Sequence, residues 1–482
     1  MGSNKKRKGT TKSKKKPAKS LQGKVPGGIS PKLKSISLIT ILLITVICFS
    51  PSLNNGFVNW DDSENIYAND LITDLNNNNF WQLSLEIFKS DVIGGYNPLS
   101  NWTFLLENKI YGLDNPEYWH LTNIILHLVS VSLIFWIGFR LKLGLLGATL
   151  FSLLFAIHPM RVESVAWLTE RKDVLYGCLY LAALFYYIKA KQRGFRKRDH
   201  LIIAVCFILS LFSKIQAVIL PVSMILVDYY LSVDAKIRAK DILNKWPYFL
   251  CSLAFGLFGI SLLSNKGATD LSYTGFSRLF IGSYTLTIYY IKSIVPFRLS
   301  PLYPYPAFLD WKFYLSIVSF IGSAYILWLS YFRKWKTVFF GLTFFLANVF
   351  FLLQLLGAEQ GFLADRFTYI PYTGLFFMYA MVAEKIYKEK AALRKPLIGF
   401  FCLILLGYGT ITYKQNKIWK ESETLWTHVL KYYKNTHTPW ANRAAHFRDN
   451  DRISALYDYS QYILLKPDDP DPYNSRARLY FK

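Results

Sequence analysis

The chain has 482 residues, 52% of them hydrophobic and 17% aromatic, with a mean hydropathy of +0.21 and a net charge of +25. A soluble domain of this size would show amphipathic stripes. Here apolar runs of roughly 17–21 residues recur, the length a helix needs to cross about 30 Å of hydrocarbon. In lipid each run must pair its own backbone N–H and C=O groups, which selects helices and excludes a soluble globule.

Residues 1–34 form a basic tail, with twelve Lys and Arg from Lys5 to Lys34 and no acid. Placed directly before an apolar run, such a tail marks the cytoplasmic side and meets anionic lipid, in preference to nucleic acid. The run 35–53 is too long for a signal-peptide core and lacks a small-x-small cleavage site, so it reads as an uncleaved first span. The segment 54–117 then carries ten acids, among them Asp61, Asp62, Glu64, Asp70, Asp91 and Glu107, against only Lys89 and Lys109. That composition is an acidic outer loop.

Further spans are expected at 118–139, 143–157, 173–189, 200–213, 217–231, 246–264, 312–332, 337–357, 371–387 and 396–413. The Lys/Arg asymmetry of the connecting loops orients them. The run 278–296 has two flanks that both belong outside, and reads as a re-entrant or interfacial helix. About eleven spans result, in an all-α polytopic membrane domain over 35–413, with the amino end cytoplasmic and the carboxyl end outside. The five cysteines lie within apolar runs at no metal or disulfide spacing and read as small buried hydrophobes. The tail 414–482 has soluble composition: one amphipathic helix, a proline-marked turn, then another, as in a tetratricopeptide repeat. It is short for a free-standing solenoid and is expected to lean on the membrane domain.

Four places concentrate groups that carry chemistry. Asn59-Trp60-Asp61-Asp62 sets two adjacent acids where the chain leaves the first span. A carboxylate there suits removal of a hydroxyl proton in a reaction on a lipid-anchored donor; the alternative is a helix cap. The stretch from His158 through Arg161, Glu163 and Glu170 to Arg171, Lys172 and Asp173 is dense in ionisable groups, which at membrane depth usually face a cavity. Arg171 or Arg161 suits a lipid phosphate, because a guanidinium fork matches phosphate oxygens. Glu163 or Asp173 suits an acceptor or a metal. Lys214 either snorkels to headgroups or binds a carrier phosphate. Asp365-Arg366 either forms a structural pair or offers Arg366 to phosphate. No Walker loop, dinucleotide fingerprint, HExxH or paired CxxC is present, against ATP-driven transport and zinc hydrolysis.

The chain resembles the transmembrane-and-tetratricopeptide O-mannosyltransferases and their bacterial relatives, of the GT-C class of glycosyltransferases. The resemblance rests on Phe57-Val58-Asn59-Trp60-Asp61-Asp62 with Asn69-Asp70, on Asn97-Pro98-Leu99 leading to His120-Leu121-Thr122-Asn123 and His127, on Phe155-Ala156-Ile157-His158-Pro159 with Glu163-Ser164-Val165-Ala166 and Arg171-Lys172-Asp173, and on Ala364 through Pro371. It implies a GT-C-like domain and a catalytic acid at Asp61 or Asp62. It also implies a polyprenyl-phosphate-linked sugar, commonly mannose, as donor, a protein or glycan hydroxyl as acceptor, and Arg171, Lys214 and Arg366 near the donor phosphate. His158, Glu163, Asp173 and Asp365 complete the expected substrate site. No metal ligand set is assigned, and a divalent metal is left open as a cofactor. The Asn- and Lys-rich usage points to a bacterial inner membrane, with a periplasmic carboxyl end. The rival functions are a flippase for lipid-linked sugar and a non-catalytic assembly factor.

Overall fold

The computed structural model describes residues 29–75, 79–90, 95–265, 275–355 and 361–481, together with Gly2 and Tyr273. The basic residues from Lys5 to Lys24, Asp91 and the last two positions of the 337–357 run lie outside the described residues. Within the described residues the chain is helical and has no strand. Numbering only helices of ten or more residues, the order begins with α1 Pro31–Phe49, α2 Phe80–Lys89, α3 Pro98–Tyr111, α4 Pro116–Arg140, α5 Leu145–Ile157, α6 Arg171–Arg193, α7 Lys197–Ser213, α8 Leu220–Leu231 and α9 Trp246–Asn265. It continues with α10 Phe276–Lys292, α11 Ile317–Phe332, α12 Lys336–Val349, α13 Tyr372–Glu389 and α14 Arg394–Asn416, and ends with α15 Ser422–Tyr432, α16 His437–Phe447, α17 Arg452–Leu465 and α18 Pro470–Phe481. Pro31, Pro98 and Pro116 open α1, α3 and α4, where a missing N–H costs no intrahelical bond.

Five segments are long and apolar enough to cross a membrane: Pro31–Asn54, Pro116–Arg140, Arg171–Arg193, Trp311–Phe332 and Ala391–Trp419. A sixth forms if α5 and Pro159–Ala166, bent by 54°, count as one span. Ile215–Leu231, Trp246–Leu262 and Lys336–Leu352 are shorter apolar helices. Leu43 and Ile47 on α1 and Leu403 and Leu406 on α14 are each more than half exposed. A water-facing surface would not carry such a continuous apolar coat; hydrocarbon is its solvent, and the chain is an integral membrane protein.

The interior lies among α4, α5, α6, α12 and α13. His127 sits at its centre, its Nδ1 2.9 Å from the Tyr369 hydroxyl and its Nε2 2.9 Å from the Ala156 carbonyl. α12 and α13 approach so closely that a Cβ on Gly374 would stand 2.2 Å from the Gly341 carbonyl, the small-residue contact typical of helices packed in lipid.

α10 and α11 lie side by side and run the same way. Thr287 bonds Ser319 at 2.8 Å, and Tyr290 meets Ser323 at 2.7 Å. The chain between them therefore turns back. Past α10, Ile294 O accepts from Tyr408 and Ser293 meets Tyr379, both part-way along their helices. By Leu299 the chain has returned to His428 in the tail.

The described part of the segment 54–117 is built rather than loose. Besides α2 and α3 it holds a short helix, Asp70–Thr73. These elements bury Ile66, Ile72, Leu83, Ile87 and Phe104 with Trp119 and Leu168 in a second apolar core. In the tail α15, α16, α17 and α18 pack each on the next. The tail leans on the membrane domain as expected, gripping the chain where it leaves α1. Ser52 donates to Asn416 Oδ1 at 2.5 Å, Asn55 to the Asn416 carbonyl, and Gly56 N to Lys420 O at 2.8 Å.

Candidate active site

The acidic pair opens a short helical segment after the Asn59-Trp60 turn, where carboxylates favour the exposed N–H groups of a first turn. Its two members diverge. Asp62 is 1% exposed. Its Oδ2 accepts from Val58 N at 3.0 Å, and its Oδ1 accepts from Thr169 N at 3.0 Å and Thr169 Oγ1 at 2.6 Å. Burial pushes its carboxyl up to about 6, against the pull of these bonds. Asp61, on the same turn, is only partly buried. The geometry thus makes Asp62 the bolt between the turn after α1 and the 158–173 segment, and leaves Asp61 toward the surface.

Thr169 leads directly into a cluster of buried charge. α5 ends at His158, because Pro159 cannot continue it. The chain resumes as Pro159–Arg161 and Val162–Ala166, and α6 starts at Arg171. Lys214, extended in the break after α7, places its Nζ 2.5 Å from Asp173 Oδ1 and 3.3 Å from Glu170 Oε2. Lys172 reaches Glu170 at 3.1 Å. Arg366 bridges Glu163 at 2.5 Å and Glu170 at 3.3 Å, and its backbone N–H donates to Glu163 at 2.9 Å. Burial pushes the Glu170 carboxyl up, but Lys172, Lys214 and Arg366 together outweigh it and hold Glu170 well below the usual carboxylate range. Three cations and three carboxylates thus balance one another.

Four residues singled out in the sequence meet here: Glu163, Asp173, Lys214 and Arg366. Asp365 stands beside them but turns away, held by Lys292 at 3.0 Å and the Tyr303 hydroxyl at 2.9 Å. Three others are engaged elsewhere. Arg171 is fully buried and binds Glu107, Asn123 Oδ1 at 2.7 Å and the Trp119 carbonyl at 2.7 Å, joining α3, α4 and α6. His158 is fully buried among Tyr372, Phe376 and Tyr408, and its Nδ1 accepts from Met160 N at 3.3 Å. Arg161, the alternative phosphate ligand, donates to the Thr368 and Tyr369 carbonyls and pins the turn before α13.

Sequence reasoning placed Glu170 and Lys172 in the ionisable stretch without giving either a role, and did not select Thr169 or a column of tryptophans. Glu170 had a legible signal, an acid beside two cations at a helix start. The column had none. Trp419, Trp167, Trp60 and Trp426 form a row with ring centroids 5.2, 5.3 and 4.9 Å apart, the first pair stacked and the other two tilted. Arg366 lies 5.6 Å from the Trp167 ring. Among the described residues no group of three or more His, Cys, Asp and Glu side chains is arranged to hold a metal ion.

A polytopic helical membrane protein with an acidic pair bolted to a buried, charge-balanced cluster is the class that fold and site define. No family model matches the chain. It is 25% identical over 501 aligned residues to the protein O-mannosyl-transferase TMTC3 of Mus musculus, a match covering 93% of this chain and 53% of that one. Shorter stretches are 33% identical to TMTC2 of Mus musculus, over 38% of this chain and 23% of the relative, and to Tmtc1 of Drosophila melanogaster, over 30% and 17%. The homologues are thus TMTC protein O-mannosyl-transferases, as the resemblance in the sequence implies. The chain spans about half the length of the curated relatives it matches over most of its own. An oligosaccharyltransferase of Archaeoglobus fulgidus, solved with a tethered acceptor peptide, superposes on 91% of this chain and 60% of its own with a TM-score of 0.43 at 13% identity. An overlap that loose carries no argument about this chain.

Proposed function

We propose that the chain is a membrane glycosyltransferase that moves a sugar, mannose in the first instance, from a polyprenyl-phosphate carrier to a hydroxyl acceptor. Protein Ser/Thr is the acceptor we favour, on the outer face of the membrane. One observation carries the reading. Asp62, next to Asp61, is tied to the charged cluster through adjacent residues, because Thr169, which bonds Asp62, precedes Glu170, which contacts Lys172, Lys214 and Arg366. A transfer that takes a proton at one point and releases a phosphate at another needs that pairing of base and cations.

In this reading Asp61 is the base, since it is the more exposed of the two acids and Asp62 is buried. Asp61 takes the acceptor proton as the hydroxyl oxygen bonds the anomeric carbon. The bond from that carbon to the carrier's phosphate oxygen breaks on the opposite side, so configuration inverts. The departing phosphate competes with Glu170 for Lys172, Lys214 and Arg366. Arg171 and His158 support the site as structural members. The topology that goes with it has about eleven spans. α10 dips in and returns, the basic amino end is cytoplasmic, the tail is outside in a bacterial inner membrane, and the tail's helix pairs are tetratricopeptide-like.

The test is incubation of the purified chain with labelled polyprenyl-phosphate mannose and a panel of Ser/Thr peptides. Label should pass to peptide, and Asp61→Asn should abolish transfer while the protein stays folded. Full activity in Asp61→Asn overturns the assignment of the base. Movement of the lipid-linked sugar across vesicles without any transfer overturns the enzyme reading.

A further inference from the structure

Between the first outer turn and the tail lies a cleft of about 480 Å³, lined by Phe57, Asn59, Tyr67, Ser422, Ala445 and His446. That volume is in the range of ligand sites, about 300–1,000 Å³, but such sites enclose most of a small ligand. This cleft is wide open. An open trough suits a chain lying across it rather than a compact molecule.

Its walls come from opposite ends of the sequence and are rigidly held. Asn59 accepts from Trp426 Nε1 at 2.8 Å, donates through Nδ2 to the Asn442 carbonyl at 2.7 Å, and donates through its backbone N–H to Ser422 Oγ at 2.8 Å. Phe57 and Tyr67 form an edge-to-face pair with centroids 5.8 Å apart, and Tyr67 keeps 39% of its surface exposed. An aromatic pair left partly open on the wall of a cleft presents a flat, low-entropy surface to another ring or aliphatic chain. Asn59 on the wall is two residues from Asp61. Extended polypeptide advances about 3.3 Å per residue, so a chain seated on Phe57 and Tyr67 can extend one or two residues toward the turn that bears Asp61.

We infer that this cleft is the acceptor site, and that it takes an extended Ser/Thr peptide whose flanking residue is aromatic or aliphatic. The flank packs on Phe57 and Tyr67 while the hydroxyl reaches Asp61. The inference rests on the glycosyl-transfer reading for its purpose but is tested by binding alone.

The experiment uses the full chain in lipid nanodiscs and fluorescent Ser/Thr peptides with aromatic or glycine flanks, read by anisotropy. Aromatic-flanked peptides should bind more tightly than glycine-flanked ones. Ala445→Trp fills the cleft from an exposed position on α16, and should weaken binding at least about tenfold, whereas Ile453→Trp, on the exposed face of α17, should change it less than about twofold. No peptide binding to the unaltered protein, or the same affinity in Ala445→Trp, overturns the inference. So does an oligosaccharide probe that binds in place of peptide with the same sensitivity to Ala445→Trp. Asp61→Asn should still bind peptide. If it also still transfers sugar, the base is misassigned while the cleft stands.

Discussion

Replacing Thr169 with Val removes one hydroxyl and keeps the shape, so it isolates a single bond of the bolt between the turn after α1 and the charged cluster. The Thr169 hydroxyl donates to Asp62 Oδ1 at 2.6 Å, in a place where Thr169 is 3% and Asp62 1% exposed. A buried hydrogen bond to a charged group contributes roughly 1.5–3 kcal/mol, and one to a neutral group roughly 0.5–1.5 kcal/mol. The loss in Thr169→Val should therefore depend on whether Asp62 is ionised. Asp62 in the folded protein titrates near 6, above its ordinary range near 3.8. A raised carboxyl favours folding while protonated, so its contribution is complete below the ordinary value and is lost as pH rises through about 6. Removing a donor to the ionised form moves that carboxyl higher still. Thermal unfolding of the detergent-solubilised protein should thus show a larger drop for Thr169→Val above pH 6 than near pH 4, with the variant's decline extending to higher pH. An equal drop at both ends, or none, refutes the assignment of Asp62 as a charged anchor.

Asp61→Asn should lower sugar transfer by roughly 10²–10⁴-fold, the usual contribution of a positioned base, with an unchanged unfolding midpoint. Arg366→Lys keeps the charge but loses the fork that spans Glu163 and Glu170. Steady-state kinetics should show kcat/KM for the lipid-phosphate donor falling about ten- to a hundredfold, matching the loss of a charge-assisted bond. Arg171→Met should destabilise the protein by roughly 3–5 kcal/mol, because it strands Glu107 in the interior. Adding Glu107→Leu should restore both the folded yield on size-exclusion chromatography and the transfer rate. A double variant that folds but does not transfer would show that Arg171 holds substrate.

The membrane character was plain in the sequence because hydrocarbon imposes long apolar runs on a helix. The acidic turn was plain because Asp61 and Asp62 follow the first run so closely. The roles of neighbouring ionisable residues were not. Arg171 and Lys172 are adjacent in the chain but point about 100° apart around a helix, so one meets Glu107 and the other Glu170. A linear pattern does not say which of two such neighbours faces the cluster. The tryptophan column was illegible for a different reason. Trp60, Trp167 and Trp419 occupy three distant segments, and only the packed helices bring them into register. Likewise the 54–117 segment reads as an acidic loop by composition, yet α2 and α3 bury enough apolar surface to make it a small folded layer.

Asn59 and Asn55 are clasped by residues more than 360 positions later, and the row through Trp60 ends at Trp426. During synthesis the turn that bears Asp61 leaves the ribosome early and must wait for its partners until nearly every helix has been inserted. A half-made chain would therefore hold its carboxylates without the scaffold that aims them. The clasp between the first turn and the tail is thus a late event in the life of the chain, and the arrangement around Asp61 and Asp62 dates from it rather than from the first helix.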